Sequence, residues 1–188
     1  YHRFLQKLTF WSRKRPLLKS PHNTGRIAAL RKLYPAARFI HICRHPYDVY
    51  RSNMHIAREG HVVYQLQDPD PQESYATRFL DNYHAMESAW TRESAELPDE
   101  QRVEVRFEDL ERRPLAVVRS VYRQLNLPWT GEFERRVRAY LAEQADYRKN
   151  QHHPLDAELQ QRIDRRMGSF LRQWGYAKRP AEQQDRAA

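Results

Sequence analysis

Eight positions separate Arg44 from Ser52, and their side chains are the pair in this chain best suited to chemistry. Before them, Arg38-Phe39-Ile40-His41-Ile42-Cys43 reads as a short buried strand. Pro46 follows, a residue suited to the first turn of a helix because its missing N–H is not needed there. Arg44 is thus expected at the carboxyl end of a strand, where open α/β sheets bind ligands. Ser52 falls two turns into the helix, roughly 9 Å along its axis at ~1.5 Å per residue. An extended arginine leaning along that helix brings a charged fork and a hydroxyl donor to one phosphate. His45 and Arg51 flank the pair and add positive charge or are simply solvated.

Alternating elements are expected to position these groups. Residues 1–12 place Phe4, Leu5, Leu8 and Trp11 at helical spacing, and Arg15–Ser20 reads as a short strand. Asn23 or Thr24 is a candidate cap for a helix running to about Tyr34, which Pro35 ends. The Pro46 helix is expected to reach about Gly60, and residues 61–72, with Pro69 and Pro71, form a loop long enough for a lid. A long helix over about 73–96 turns Tyr75, Phe79, Tyr83, Met86 and Trp90 inward. Val103–Phe107 alternates as a strand, Pro114 opens a helix, and another spans about 132–142. The last helix holds Leu159, Ile163, Met167, Phe170, Leu171 and Trp174, with Gly175 as its cap. Strands alternating with helices predict an α/β fold: a parallel sheet flanked by helices, with a helical C-terminal part. Residues 1–178 are expected to be one domain and 179–188 a disordered tail.

The 188 residues carry 33 Lys and Arg against 24 Asp and Glu, a net charge of +9 that suits an anionic partner or serves solubility alone. Cys43, the one cysteine, leaves no internal disulfide and fits a reducing, cytoplasmic compartment. Set in an apolar run, it reads as a buried structural thiol. No stretch approaches the ~20 apolar residues of a membrane span. His152 and His153 lack further ligands at metal-binding spacing, so no metal is expected.

Several blocks in fixed order carry a family resemblance. Leu18-Lys19-Ser20-Pro21-His22 is followed by Tyr34-Pro35-Ala36-Ala37-Arg38-Phe39, then by Arg44-His45-Pro46 with Ser52. Phe107-Glu108-Asp109-Leu110 with Pro114 and the closing Phe170-Leu171-Arg172-Gln173-Trp174-Gly175-Tyr176 complete the set. Together they resemble sulfotransferases that use 3′-phosphoadenosine 5′-phosphosulfate (PAPS), over about residues 15–176. The resemblance implies that the parallel sheet is P-loop-NTPase-like, that Arg44 and Ser52 hold the 3′-phosphate of the nucleotide and that Phe107 stacks near the adenine. Phe107 is also an ordinary core residue for a strand. Arg148 and Lys149 resemble a late basic loop over the cofactor. Lys19, 25 residues before Arg44 as in the family, would steady the sulfuryl oxygens or the leaving phosphate. His22 is the candidate general base for a hydroxyl or amine acceptor on a small molecule, sugar or peptide. It stands three residues after Lys19, where one branch of the family has its histidine two residues on and another four.

The family's Gly-rich phosphosulfate loop has no counterpart among glycines 25, 60, 131, 168 and 175, and the first residue is tyrosine. The chain therefore reads as the larger C-terminal portion of such an enzyme, expected to be inactive alone. Two other classes stay open: a basic nucleic-acid-binding module, disfavoured because the arginines are scattered, and a P-loop kinase relative.

Overall fold

The computed structural model describes residues 2–59, 75–147 and 155–177. The elements run α1 (His2–Ser12), α2 (Ile27–Leu33), β1 (Phe39–Cys43), α3 (Pro46–Glu59), α4 (Tyr75–Ser94), β2 (Arg102–Arg106), α5 (Phe107–Arg112), α6 (Pro114–Gln124), α7 (Gly131–Glu143) and α8 (Ala157–Gln173). A 3₁₀ turn at Pro21–Gly25 precedes α2. The fold is α/β, and the expected parallel sheet is present as a two-stranded ladder. Phe39 pairs with Arg102, and the register continues to Cys43 opposite Arg106.

The two faces of this ladder are covered differently. Val103 and Val105 pack with Val121 of α6 and with Leu125 just past its end. Ile40 and Ile42, opposite them in register, are 42% and 51% exposed. On the other face Cys43 joins the main core, built from Tyr47 and Tyr50 of α3, Leu80 and Tyr83 of α4, and Ile163, Met167, Phe170 and Leu171 of α8. Each helix shows its cause locally. Asp156 caps α8 by accepting the Leu159 N–H at 2.7 Å. At its other end Gly175, with φ +67°, allows Tyr176 N–H to reach Leu171 O and Gly175 N–H to reach Arg172 O, a Schellman closure. Thr130 caps α7 through the Phe133 N–H at 3.1 Å.

Three expectations needed correction. Arg15–Ser20 is not a strand; it is irregular and exposed, with Leu17 87% open. Its strand signal was two leucines between prolines, neither β-branched, and no neighbouring strand supplies a ladder among the described residues. Neither Asn23 nor Thr24 caps α2. Instead Glu93 of α4 accepts the Ala28 N–H at 2.8 Å, a cap contributed from 65 residues away. Phe107 begins helix α5 and does not end the strand. The lid expected at 61–72, the loop with Arg148 and Lys149, His152 and His153, and the tail lie outside the described residues.

The inward side of β1 also buries charge. His41 lies between two carboxylates: Nδ1 is 2.9 Å from Glu104 Oε2 and Nε2 is 3.0 Å from Glu87 Oε2. The first contact is an aligned hydrogen bond, whereas Glu87 meets the ring as a charge contact without that alignment. The imidazole stacks on Trp90 at 4.5 Å, and the Trp90 indole N–H donates to Glu104 at 3.1 Å. Burial by itself would lower the His41 pKa. The Glu104 hydrogen bond and the close negative charges of Glu104 and Glu87 outweigh it and raise the value to about 9. A pKa raised on folding stabilises fully below the unfolded value and loses that contribution as pH rises through the folded one. Unfolding free energy in urea is expected to fall between pH 6.5 and 9, by up to about 3 kcal/mol at ~1.4 kcal/mol per pKa unit. An NMR titration of the His41 ring should find its midpoint near 9. A midpoint at or below 6.5 would refute the protonated triad.

Candidate functional site

The segment after β1 turns directly into α3, and Pro46 occupies the first helical position as its chemistry favours. Arg44 lies in that junction, half-buried, with its Cζ 4.7 Å from the centroid of Phe107. The guanidinium is thus stacked on a ring. It makes no ion pair or hydrogen bond with any described residue. Ser52 lies half-buried on α3, and its hydroxyl likewise has no protein partner among the described residues. A cation and a hydroxyl donor left without protein acceptors, on the helix that follows a parallel strand, suit a bound oxyanion.

The backbone beside Arg44 is held from a second strand end. Glu108 Oε1 accepts the His45 N–H at 3.2 Å, and Glu108 Oε2 accepts the Tyr176 hydroxyl at 2.5 Å. His45 is buried, with Nε2 3.2 Å from the Ala177 carbonyl and Nδ1 accepting the Tyr47 N–H at 3.3 Å. Arg106 lies over the Tyr176 ring at 4.4 Å. Burial alone would raise the Glu108 pKa. The hydrogen bonds from Tyr176, its own amide and His45 N–H, with the Arg106 charge, hold it below the usual carboxylate range. Burial and the Glu108 carboxylate push the Tyr176 phenol well above its usual range. Burial likewise pushes the Cys43 thiol up, to about 12, as fits the structural thiol expected from its apolar surroundings.

The structure joins Arg44 and Phe107 directly. Lys19 sits in the irregular segment before the 3₁₀ turn and His22 within that turn; both side chains are exposed. Neither makes a hydrogen bond or ion pair among the described residues. The turn itself is fixed by packing against α4, where Gly25 lies so close to Met86 that a Cβ would meet Met86 Cγ at 3.2 Å. Glu108 and Tyr176 were quoted above only as parts of sequence blocks. The available signal for them was an acidic residue just after a strand and an aromatic just after a helix cap.

Comparison with known proteins decides the class. Residues 1–131 match the model of the sulfotransferase family, more than half of the chain, and the protein belongs to that family. It is 34% identical over 187 residues to omega-hydroxy-beta-dihydromenaquinone-9 sulfotransferases of Mycobacterium bovis and Mycobacterium tuberculosis, covering 96% of this chain and 46% of each relative. The chain thus spans about half the length of these curated relatives. Its fold is similar to that of a sulfotransferase from Mycobacterium avium, with a TM-score of 0.75 and 22% identity over 93% of this chain and 45% of the other. It is also similar to the sulfotransferase domain of the curacin biosynthetic pathway, with a TM-score of 0.60 and 17% identity over 95% and 69%. Neither a nucleic-acid module nor a kinase relative is favoured. Family membership implies a sulfuryl donor, and no described helix is long and apolar enough to cross a membrane.

The turn carrying His22 depends on the Gly25–Met86 approach, so Gly25→Val should cost about 1–3 kcal/mol of stability by overpacking. Met86→Ala in the same chain should recover part of that loss in a double-mutant cycle followed by thermal unfolding. Strictly additive losses would show that the contact does not set the turn.

Proposed function

We propose that this protein belongs to an enzyme transferring a sulfuryl group from PAPS to a hydroxyl, and that this chain carries the 3′-phosphate half of the donor site. The observation that carries the reading is Arg44: a guanidinium held on the Phe107 ring at the end of a parallel strand, with no ion pair among the described residues. Ser52 supplies a hydroxyl donor to the same phosphate. Arg148 and Lys149 add positive charge over the nucleotide, and Phe107 provides an apolar surface beside the site. One domain over residues 1–178 fits this assignment, as does a cytoplasmic location.

In the reaction, the acceptor oxygen attacks sulfur and forms a new S–O bond as the bond from sulfur to the bridging phosphate oxygen breaks. Adenosine 3′,5′-bisphosphate departs with the electron pair. His22 takes the acceptor's proton as base, and Lys19 stabilises negative charge on the sulfuryl oxygens or the departing phosphate. Exposure of both side chains leaves them able to meet a bound donor. No step in this displacement calls for a metal. The names of the mycobacterial relatives state a hydroxylated dihydromenaquinone, which favours a hydroxyl over an amine as the acceptor here. A small molecule is favoured over a sugar or peptide on the same ground.

Arg44→Ala is expected to weaken adenosine 3′,5′-bisphosphate binding by roughly 2–4 kcal/mol, as for loss of a charged hydrogen-bonding partner. Ser52→Ala should cost about 0.5–1.5 kcal/mol. Calorimetric titration of the intact protein measures both, and unchanged affinity in Arg44→Ala would place the site elsewhere. In a thermal-shift assay the bisphosphate should stabilise the protein more than ATP does.

A further inference from the structure

Three consecutive residues at the end of β2 grip the junction that carries Arg44. Arg106 stacks on Tyr176 at 4.4 Å, Phe107 stacks on Arg44 at 4.7 Å, and Glu108 accepts the His45 N–H at 3.2 Å. The register that sets Cys43 opposite Arg106 brings these groups together. The second oxygen of Glu108 accepts the Tyr176 hydroxyl at 2.5 Å, and that hydroxyl also lies 3.4 Å from the Cys43 carbonyl. One carboxylate therefore ties the peptide after Arg44 to the residue just past the Gly175 closure of α8. Tyr176 lies beyond the stretch matched by the family model.

We propose that Glu108 is a positioning residue for Arg44, and that Tyr176 locks it in place, so that the C-terminal end of the fold sets the orientation of the guanidinium toward a 3′-phosphate. The proposal rests on the donor-site reading above. Arginine binds phosphate through a planar fork, so its contribution depends on the angle at which the fork is presented. The Phe107 ring fixes the guanidinium plane, and the Glu108 bond fixes the backbone from which the side chain extends. Without Glu108 the His45 N–H loses its acceptor, and the peptide is held on one side only. The Tyr176 hydroxyl donates to the other oxygen of Glu108 and so holds the carboxylate where it accepts that N–H. Positioning of this kind acts on ligands that reach Arg44 and leaves the others alone.

The test is calorimetric binding to the intact protein of two probes, adenosine 3′,5′-bisphosphate and adenosine 5′-monophosphate. Glu108→Ala should weaken the bisphosphate about tenfold, the scale of one hydrogen bond, and change the monophosphate little. Tyr176→Phe, which removes a hydroxyl and no bulk, should weaken the bisphosphate by a smaller factor. Glu108→Gln, which keeps one acceptor oxygen, should recover most of the affinity. In an Arg44→Ala background, Glu108→Ala should have no further effect, because the two act as one unit. Equal loss for both probes, or additive losses with Arg44→Ala, would overturn the positioning role while leaving the donor site intact. Unchanged bisphosphate affinity in both Glu108→Ala and Tyr176→Phe would do the same. If the unsubstituted protein does not bind the bisphosphate at all, the donor-site reading fails, and the positioning role with it.

Discussion

The five-residue parallel ladder between Phe39–Cys43 and Arg102–Arg106 is the constraint from which the site follows. Parallel strands end on the same side, so the junction after β1 and the start of α5 are forced to be neighbours. That adjacency lets Phe107 carry the guanidinium of Arg44 and lets Glu108 reach the amide of His45. A slip of one position in the ladder would exchange the sheet's two faces, exposing His41 and Cys43 and turning Ile40 and Ile42 toward α3, α4 and α8. The register is held partly by those apolar faces and partly by the charged contact between His41 and its ladder partner Glu104.

Burying His41 between two carboxylates is a costly way to fill a core, since each charge loses its water. The arrangement lasts because three groups share the load: Glu104 is hydrogen-bonded to both the imidazole and the Trp90 indole, and Glu87 brings a second charge. The result is directional where hydrophobic packing is not. It also joins β1, β2 and α4, the elements that surround the Arg44 junction.

The main core binds α3, α4 and α8 around Tyr47, Tyr83, Ile163 and Met167, and the end of α8 delivers Tyr176 to Glu108. Tyr176 thus reaches the His45 amide through Glu108, and its hydroxyl lies 3.4 Å from the Cys43 carbonyl, 133 positions earlier. Substrate-side groups are handled differently. Lys19 and His22 sit on irregular, exposed chain whose main anchor is the turn at Gly25 against Met86. Regular elements hold the Arg44 side of the proposed donor site, and irregular, exposed chain carries Lys19 and His22, the groups proposed to act at the sulfuryl group.

Much was legible without coordinates. The period-2 run of Val103 and Val105, the helical spacing of the α4 and α8 cores, Pro46 at a helix start and Gly175 at a helix end are local signals, because propensity and burial act within one or two turns. Arg44 and Ser52 were likewise singled out from spacing across a strand and a helix, and they lie in the β1–α3 junction and on α3. The Arg15–Ser20 segment was misread because a strand is defined by a partner, and two leucines between prolines say nothing of one. The cap on α2 was out of reach for the same reason: Glu93 stands 65 residues from the amide it accepts. The order of motifs carried the family resemblance, and local spacing pointed to most of the elements and to residues suited to hold an anion. Only the folded chain decided that Glu108 would bridge His45 and Tyr176, and that His41 would lie between Glu87 and Glu104, because those choices depend on distances between segments that the linear order does not contain.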